Sequence, residues 1–300
     1  MTVHTGRLTA PRRMLALALA ALASLLVVSS AAATEHHPKG AFAPFADCPL
    51  SNPEVPLCTV ATTSSGEFTI GKRTVPITKT ITLQGGLKVI GETEEEELVA
   101  AEDGNTLSKT PQTVPGGLLG IVAPEFLPKW LQEIFNNFIN EGLTGVTETT
   151  ELAKSASSVR VDVENLLTET GTALKLPVKV KLNNAFLGSE CYIGSSSNPV
   201  TLNLTTGETK PPEPNKPIHG AKGEIGFEEG GNIINLTGGS LVDNAFSAPG
   251  AHGCGGFLLE LLVDPAINAE LGLPSAAGHN TAILNGKLAL ASAEAVKASE

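Results

Sequence analysis

The chain predicts a mainly β fold: an antiparallel sandwich or barrel, with an amphipathic helix over about 128–141 packed on it and a second short helix over 264–272. Three observations lead there. First, Val159, Val161 and Val163 alternate with Arg160, Asp162 and Glu164, and Leu174, Leu176, Val178, Val180 and Leu182 alternate with Lys175, Pro177, Lys179 and Lys181. A period of two with one charged face marks strands buried on one side only, the habit of antiparallel sheets. Second, stretches rich in Thr, Val, Ile and Leu and bounded by Gly, Asn and Pro recur at 67–91, 198–207, 223–239 and 280–294, and each reads as one or more strands. Third, a single segment breaks the pattern. Between 126 and 139, Phe126, Leu127, Trp130, Leu131, Ile134, Phe135, Phe138 and Ile139 fall in pairs every four residues, which lays one apolar stripe along a helix.

From the first residue onward, 1–33 reads as an export signal. Arg7, Arg12 and Arg13 precede the apolar run 14–28, and Ala31 and Ala33 supply the small residues of a cleavage site. That run is shorter than the roughly 20 apolar residues a spanning helix needs, so the mature chain is expected to have no membrane span. Cleavage after Ala33 removes three of the 20 basic residues and no acidic one, leaving 17 against 31 and a formal charge of −14. With no basic cluster, nucleic acid is excluded as a partner, because its binding needs cations that displace counterions.

Residues 34–58 form a Pro-rich N-terminal extension, too broken by proline for a helix or a central strand. It is expected to lie on the surface, with 59–300 as a single β-rich domain. Within 67–91, turns are expected at Gly71-Lys72 and at Gly85-Gly86. The acidic run 92–105 reads as a solvated loop or helix face. In the helix, Pro128 suits the first turn and Gly142 the stop. The lysines and Pro177 of 174–182 suit an edge strand, where they discourage pairing with another chain. The loop 205–220 is Pro-rich and reads as extended and exposed. Asp264 and Pro265 suit the cap and first position of the short helix.

Cys48, Cys58, Cys191 and Cys254 are an even set in an exported chain, so disulfides are expected. Of three pairings, the favoured one is Cys48–Cys58, closing a small loop, with Cys191–Cys254 joining distant elements. The repeated Asn-Ala-Phe ahead of Cys191 and of Cys254 suggests equivalent corners.

No nucleophile elbow, HExxH, P-loop or GxGxxG pattern is present, and no catalytic residue or cofactor is assigned. His219, His252 and His279 sit in loops beside glycine, and Glu224, Glu228, Glu229, Asp243 and Asp264 are available carboxylates that sequence alone does not bring together. A start at Thr34-Glu35-His36 would place an amine, two amides and an imidazole around Cu(II) or Ni(II) in a square plane. Trp130, Ile134, Phe135 and Phe138 offer three readings. They are core, they form a lid over an apolar ligand, or they are a patch that contacts a membrane or a partner.

The stretches FAPFADCPLSNPEVPLC, GEFTIGKRTVPI, CYIGSSSNPVTLNLTTG and AAGHNTAILNGKL resemble a group of uncharacterised secreted proteins of actinobacteria. The resemblance spans most of the mature chain and implies export to the envelope or medium, without an activity. The leading expectation is an exported, non-enzymatic β protein that binds or builds in the envelope or medium. The alternatives are a carrier of an apolar small molecule with 128–141 as lid, and a secreted hydrolase without a recognisable motif.

Overall fold

The computed structural model describes residues 36–91, 95–117, 125, 128–130, 132–133 and 145–300. Among them, fourteen strands join into one antiparallel sheet, and the helices are few. In chain order the strands are β1 (Leu57–Ile70), β2 (Arg73–Pro76), β3 (Ile81–Val89), β4 (Glu95–Ala100), β5 (Gln112–Thr113), β6 (Thr147–Leu152) and β7 (Arg160–Asp162). Then come β8 (Leu174–Asn183), β9 (Tyr192–Ile193), β10 (Val200–Leu204), β11 (Glu224–Glu228), β12 (Ile233–Asp243), β13 (Ala251–His252) and β14 (Thr281–Ser292). The helices are α1 (Val163–Thr168), α2 (Gly256–Leu271) and α3 (Ala293–Ala298).

The sheet runs β11-β12-β14-β1-β3-β4-β7-β8-β6-β5, with β9 and β10 on the other edge of β8. It is not closed. β10 reaches β12 through the Thr205–Val242 bridge, whose two backbone hydrogen bonds measure 3.0 and 2.9 Å. The inner faces of β1, β12 and β14 therefore look across at those of β8 and β10, in a sandwich-like arrangement. Leu174, Leu176, Val178, Val180 and Leu182 are all buried on that inner face, as the alternation predicts. Each such side chain contributes about 1.5–3 kcal/mol on leaving water.

The strong curvature has a local cause. β1 carries a bulge between Thr63 and Ser65, and β12 one between Thr237 and Gly239, and both flank Gly286 of β14. Bulges bend a strand and raise its twist, so three neighbouring strands turn at one level. They approach so closely there that a Cβ on Gly286 would lie 1.8 Å from the carbonyl oxygen of Thr62. Gly286→Ala is accordingly expected to cost about 3 kcal/mol, through backbone displacement. Urea unfolding of the variant measures it, and an unchanged midpoint would contradict this account of the bend.

Several local expectations need correction. Gly85-Gly86 makes no turn but lies within β3, where added Cβ atoms would meet Val99 O at 2.2 Å and Val55 Cγ1 at 2.4 Å. These glycines serve close approach. The strand at 174–182 is central, since β6 and β7 share one edge and β9 and β10 the other. Pro177 is tolerated because its backbone faces the seam where β6 ends and β7 begins, and its carbonyl accepts from Ala153 N at 3.0 Å. The strand at 159–163 stops at Asp162, whose carboxylate accepts from Asn165 N and caps α1. The acidic run supplies a strand, β4, where Glu97 sits 3.5 Å from both Lys88 and Arg160. In the 205–220 loop, Thr205, Thr206 and Thr209 are buried.

The short helix at 264–272 is the second half of α2, which begins at Gly256. Asp264 is not its cap. Its carboxylate accepts from Cys254 N (2.8 Å) and Gly253 N (3.2 Å), tying the middle of the helix to the disulfide. The Pro-rich extension also holds more structure than its prolines suggest. Gly40–Phe45 is a 3-10 turn containing Pro44, and Phe42, Phe45, Leu50 and Val55 are buried with Ile233, Ala291 and Val296. This is a second core, on the outer face of the sheet.

Candidate ligand cavity

The inner core is not filled throughout. Two adjoining hollows, of about 90 and about 80 Å³, lie between the facing strands. Both are lined by Ala61, Thr63, Leu83, Leu174, Leu241 and Leu284, and the walls are overwhelmingly apolar. The period-two pattern explains the lining: Ala61 and Thr63 of β1, Leu174 of β8, Leu241 of β12 and Leu284 of β14 all point inward. Small or short side chains on β1 face leucines across the gap, so the two faces cannot meet. An apolar hollow of about 150 Å³ stays dry and takes up benzene, which sets the scale of a guest. The first hollow has Lys222 and Lys287 at its rim. Lys222 Nζ donates to Leu167 O at 3.0 Å, and Lys287 is exposed.

One polar group breaks the apolar lining of the second hollow. Glu148 of β6 is 7% exposed and lies opposite Gln112 of β5 and Leu182 of β8. Gln112 is engaged elsewhere: its Oε1 accepts from Thr78 N (2.9 Å) and Lys79 N (3.0 Å), and its Nε2 donates to Lys79 O (2.8 Å). Leu182 has nothing to offer. Among the described residues no donor reaches the Glu148 carboxyl group, and burial alone pushes its pKa up to about 8. At neutral pH the group is therefore mostly the neutral acid, able both to donate and to accept a hydrogen bond. Glu148 was not picked out from the sequence, yet a signal was there. Glu148 and Glu151 are three residues apart in a strand, so they point to opposite faces; Glu151 meets Lys179 at 3.4 Å on the outside and Glu148 must point in.

The residues named from sequence fare differently. Cys48–Cys58 and Cys191–Cys254 are both bonded, and no free cysteine remains. Thr34 and Glu35 of the Cu/Ni reading lie outside the described residues. The His36 ring faces two carboxylates, with Nε2 3.3 Å from Glu102 and Nδ1 against Glu300, so a metal bound through either nitrogen would have to displace the carboxylate facing it. Of the stripe at 128–141, Ile134, Phe135 and Phe138 lie outside the described residues. Trp130 is helical, as are 129, 132 and 133, but it is 63% exposed and lines neither hollow. The indole is thus not core.

The loop histidines and carboxylates do not converge. His252 stacks on Tyr192 with ring centroids 6.5 Å apart, and its Nε2 lies 3.2 Å from Gly194 O. Asp243 is buried and its pKa is raised by burial, although its carboxylate accepts from Asn203 N (2.7 Å) and Ala245 N (2.8 Å). It bonds backbone and does not line either hollow. Among the described residues no three His, Cys, Asp or Glu side chains cluster as a metal site would require, and no helix is long and apolar enough to cross a membrane. No protein-family model, curated protein or solved structure matches this chain.

Proposed function

We propose that this protein is an exported, non-enzymatic carrier that holds a small apolar molecule between the two inner faces of its sheet. The pair of adjoining apolar hollows supports this reading, because a domain built only to fold gains by filling such space. Closing a void recovers about 24 cal/mol per Å³, so hollows of about 90 and about 80 Å³ leave several kcal/mol unclaimed. A guest that fits them recovers part of it. Two disulfides and an N-terminal export signal at 1–33 support delivery to an oxidising compartment, the envelope or the medium. The same export is implied by the resemblance to secreted actinobacterial proteins.

Ala61 lines both hollows, so Ala61→Phe fills the space with no change of charge. The wild type is expected to bind ethylbenzene in titration calorimetry, and the variant to bind it at least tenfold more weakly while unfolding at an equal or higher urea concentration. Equal affinity in the two proteins would remove the cavity from the reading. For export, N-terminal sequencing of protein recovered from the medium is expected to begin at Thr34; retention of 1–33 would oppose it.

A further inference from the structure

Resting on the carrier reading, we infer that the guest carries one neutral oxygen group, a hydroxyl or a carbonyl, which docks on Glu148 while its hydrocarbon body occupies the hollows. Glu148 is the one titratable side chain lining the second hollow among the described residues, and Thr63 and Thr150 are the only other polar side chains there. A carboxyl group buried without a partner loses its hydration and gains nothing in return, which disfavours its retention in a merely structural core. Its neighbours on both sides cannot repair this, since Gln112 is fully engaged and Leu182 is apolar. Among the described residues, the remaining direction is the hollow itself, which Glu148 lines.

The chemistry of the walls selects the class of guest. An ammonium group would put an ion pair among leucines, with no further dipoles to satisfy the remaining protons and lone pairs, and such desolvation outweighs the attraction. A carboxylate guest docked on Glu148 would bring a second acid to a hollow that no cation lines among the described residues, since Lys222 and Lys287 stand at the rim of the other hollow. An alcohol or ketone asks for neither charge. The Glu148 hydroxyl donates to the guest oxygen, and its carbonyl accepts from an alcohol, so both sides of the acid are used. The raised pKa of Glu148 keeps it in the donating form at neutral pH. The hollows are sized for a guest of roughly six to ten non-hydrogen atoms, judged against benzene in a cavity of about 150 Å³.

Three isosteres separate the possibilities: ethylbenzene, benzyl alcohol and benzylamine, titrated at pH 6.5 into the wild type, Glu148→Gln and Glu148→Met. The glutamine keeps a donor and an acceptor, whereas methionine keeps only the shape. The ratio of the benzyl alcohol Kd to the ethylbenzene Kd is expected to rise about tenfold in E148M and to stay within about threefold of wild type in E148Q. Ethylbenzene still bound by E148M shows that fold and cavity survive. An unchanged ratio in E148M, the result if water satisfies Glu148, overturns this inference and leaves the carrier reading standing. Benzylamine losing more than benzyl alcohol in E148M also overturns it, in favour of a cationic guest. Failure of the wild type to bind ethylbenzene at all removes the carrier reading, and this inference with it.

Discussion

Between pH 4.5 and pH 8 the unliganded protein is expected to lose roughly 5 kcal/mol of stability to one side chain, Glu148. The sign follows from the direction of the shift. Burial raises the folded-state pKa from 4.5 to about 8, so across that window the folded protein holds a proton that the unfolded chain has released. Stability therefore falls as pH rises through the window, and the loss is complete above the folded value. Among the described residues, no charged side chain lines the hollow with Glu148 to offset it. Asp243, Glu96 and Asp47 are also raised, chiefly by burial, and act in the same direction. Glu148→Gln removes the proton, so urea unfolding at pH 5 and at pH 9 should show a much smaller difference for the variant than for the wild type. The variant should be the more stable protein at pH 9. Parallel pH profiles for the two proteins would mean that Glu148 is solvated or paired in the folded state, and the site described above would fall.

The next largest effect is expected from the long disulfide. Cys191–Cys254 closes 63 residues of chain and Cys48–Cys58 closes 10. On loop entropy alone the first contributes about 4 kcal/mol and the second about 3 kcal/mol. Replacing Cys191 and Cys254 together by Ala should therefore cost more than replacing Cys48 and Cys58. The context widens the gap, because Cys254 N and Gly253 N donate to Asp264 of α2, so freeing this corner also frees the helix. Both disulfides are buried, which adds a packing loss to each replacement. Urea midpoints of the two double variants decide the order. A larger loss for the Cys48–Cys58 pair would show that the outer core around Phe42, Phe45 and Val55 holds more of the stability than the inner one.

How far the chain was readable depends on the distance over which each feature is decided. The alternation in 174–182 located β8 and its buried face, because which way successive side chains point is a matter of neighbouring residues. It did not show that both edges of β8 are occupied, since that depends on β6, β7, β9 and β10 arriving from elsewhere. Lysines on one face look the same on an edge strand and on a central one. Glycine was ambiguous for a similar reason. Gly71 turns the chain, while Gly85 and Gly86 make room for Val99, Val55 and Pro49, and the local sequence is equally permissive in both cases. The Asp264-Pro265 pair read as a helix start because it has the chemistry of one. Its carboxylate is instead held by amides of the disulfide corner, and those come near only in the fold.

By itself the sequence determined a mainly β protein with antiparallel strands, the buried face of its longest alternating strand, and two disulfides in the favoured pairing. Hydrophobic period and cysteine spacing act over a few residues or through chain entropy, so they are written into the linear order. Only the tertiary structure decided that the sheet bends at Gly286, that its two inner faces stand apart instead of meshing, and that Glu148 ends up between them without a partner among the described residues. The width of a gap between two faces is set by side chains far apart in the chain, and a carboxyl group acquires its protonation state from whatever surrounds it once the fold has closed.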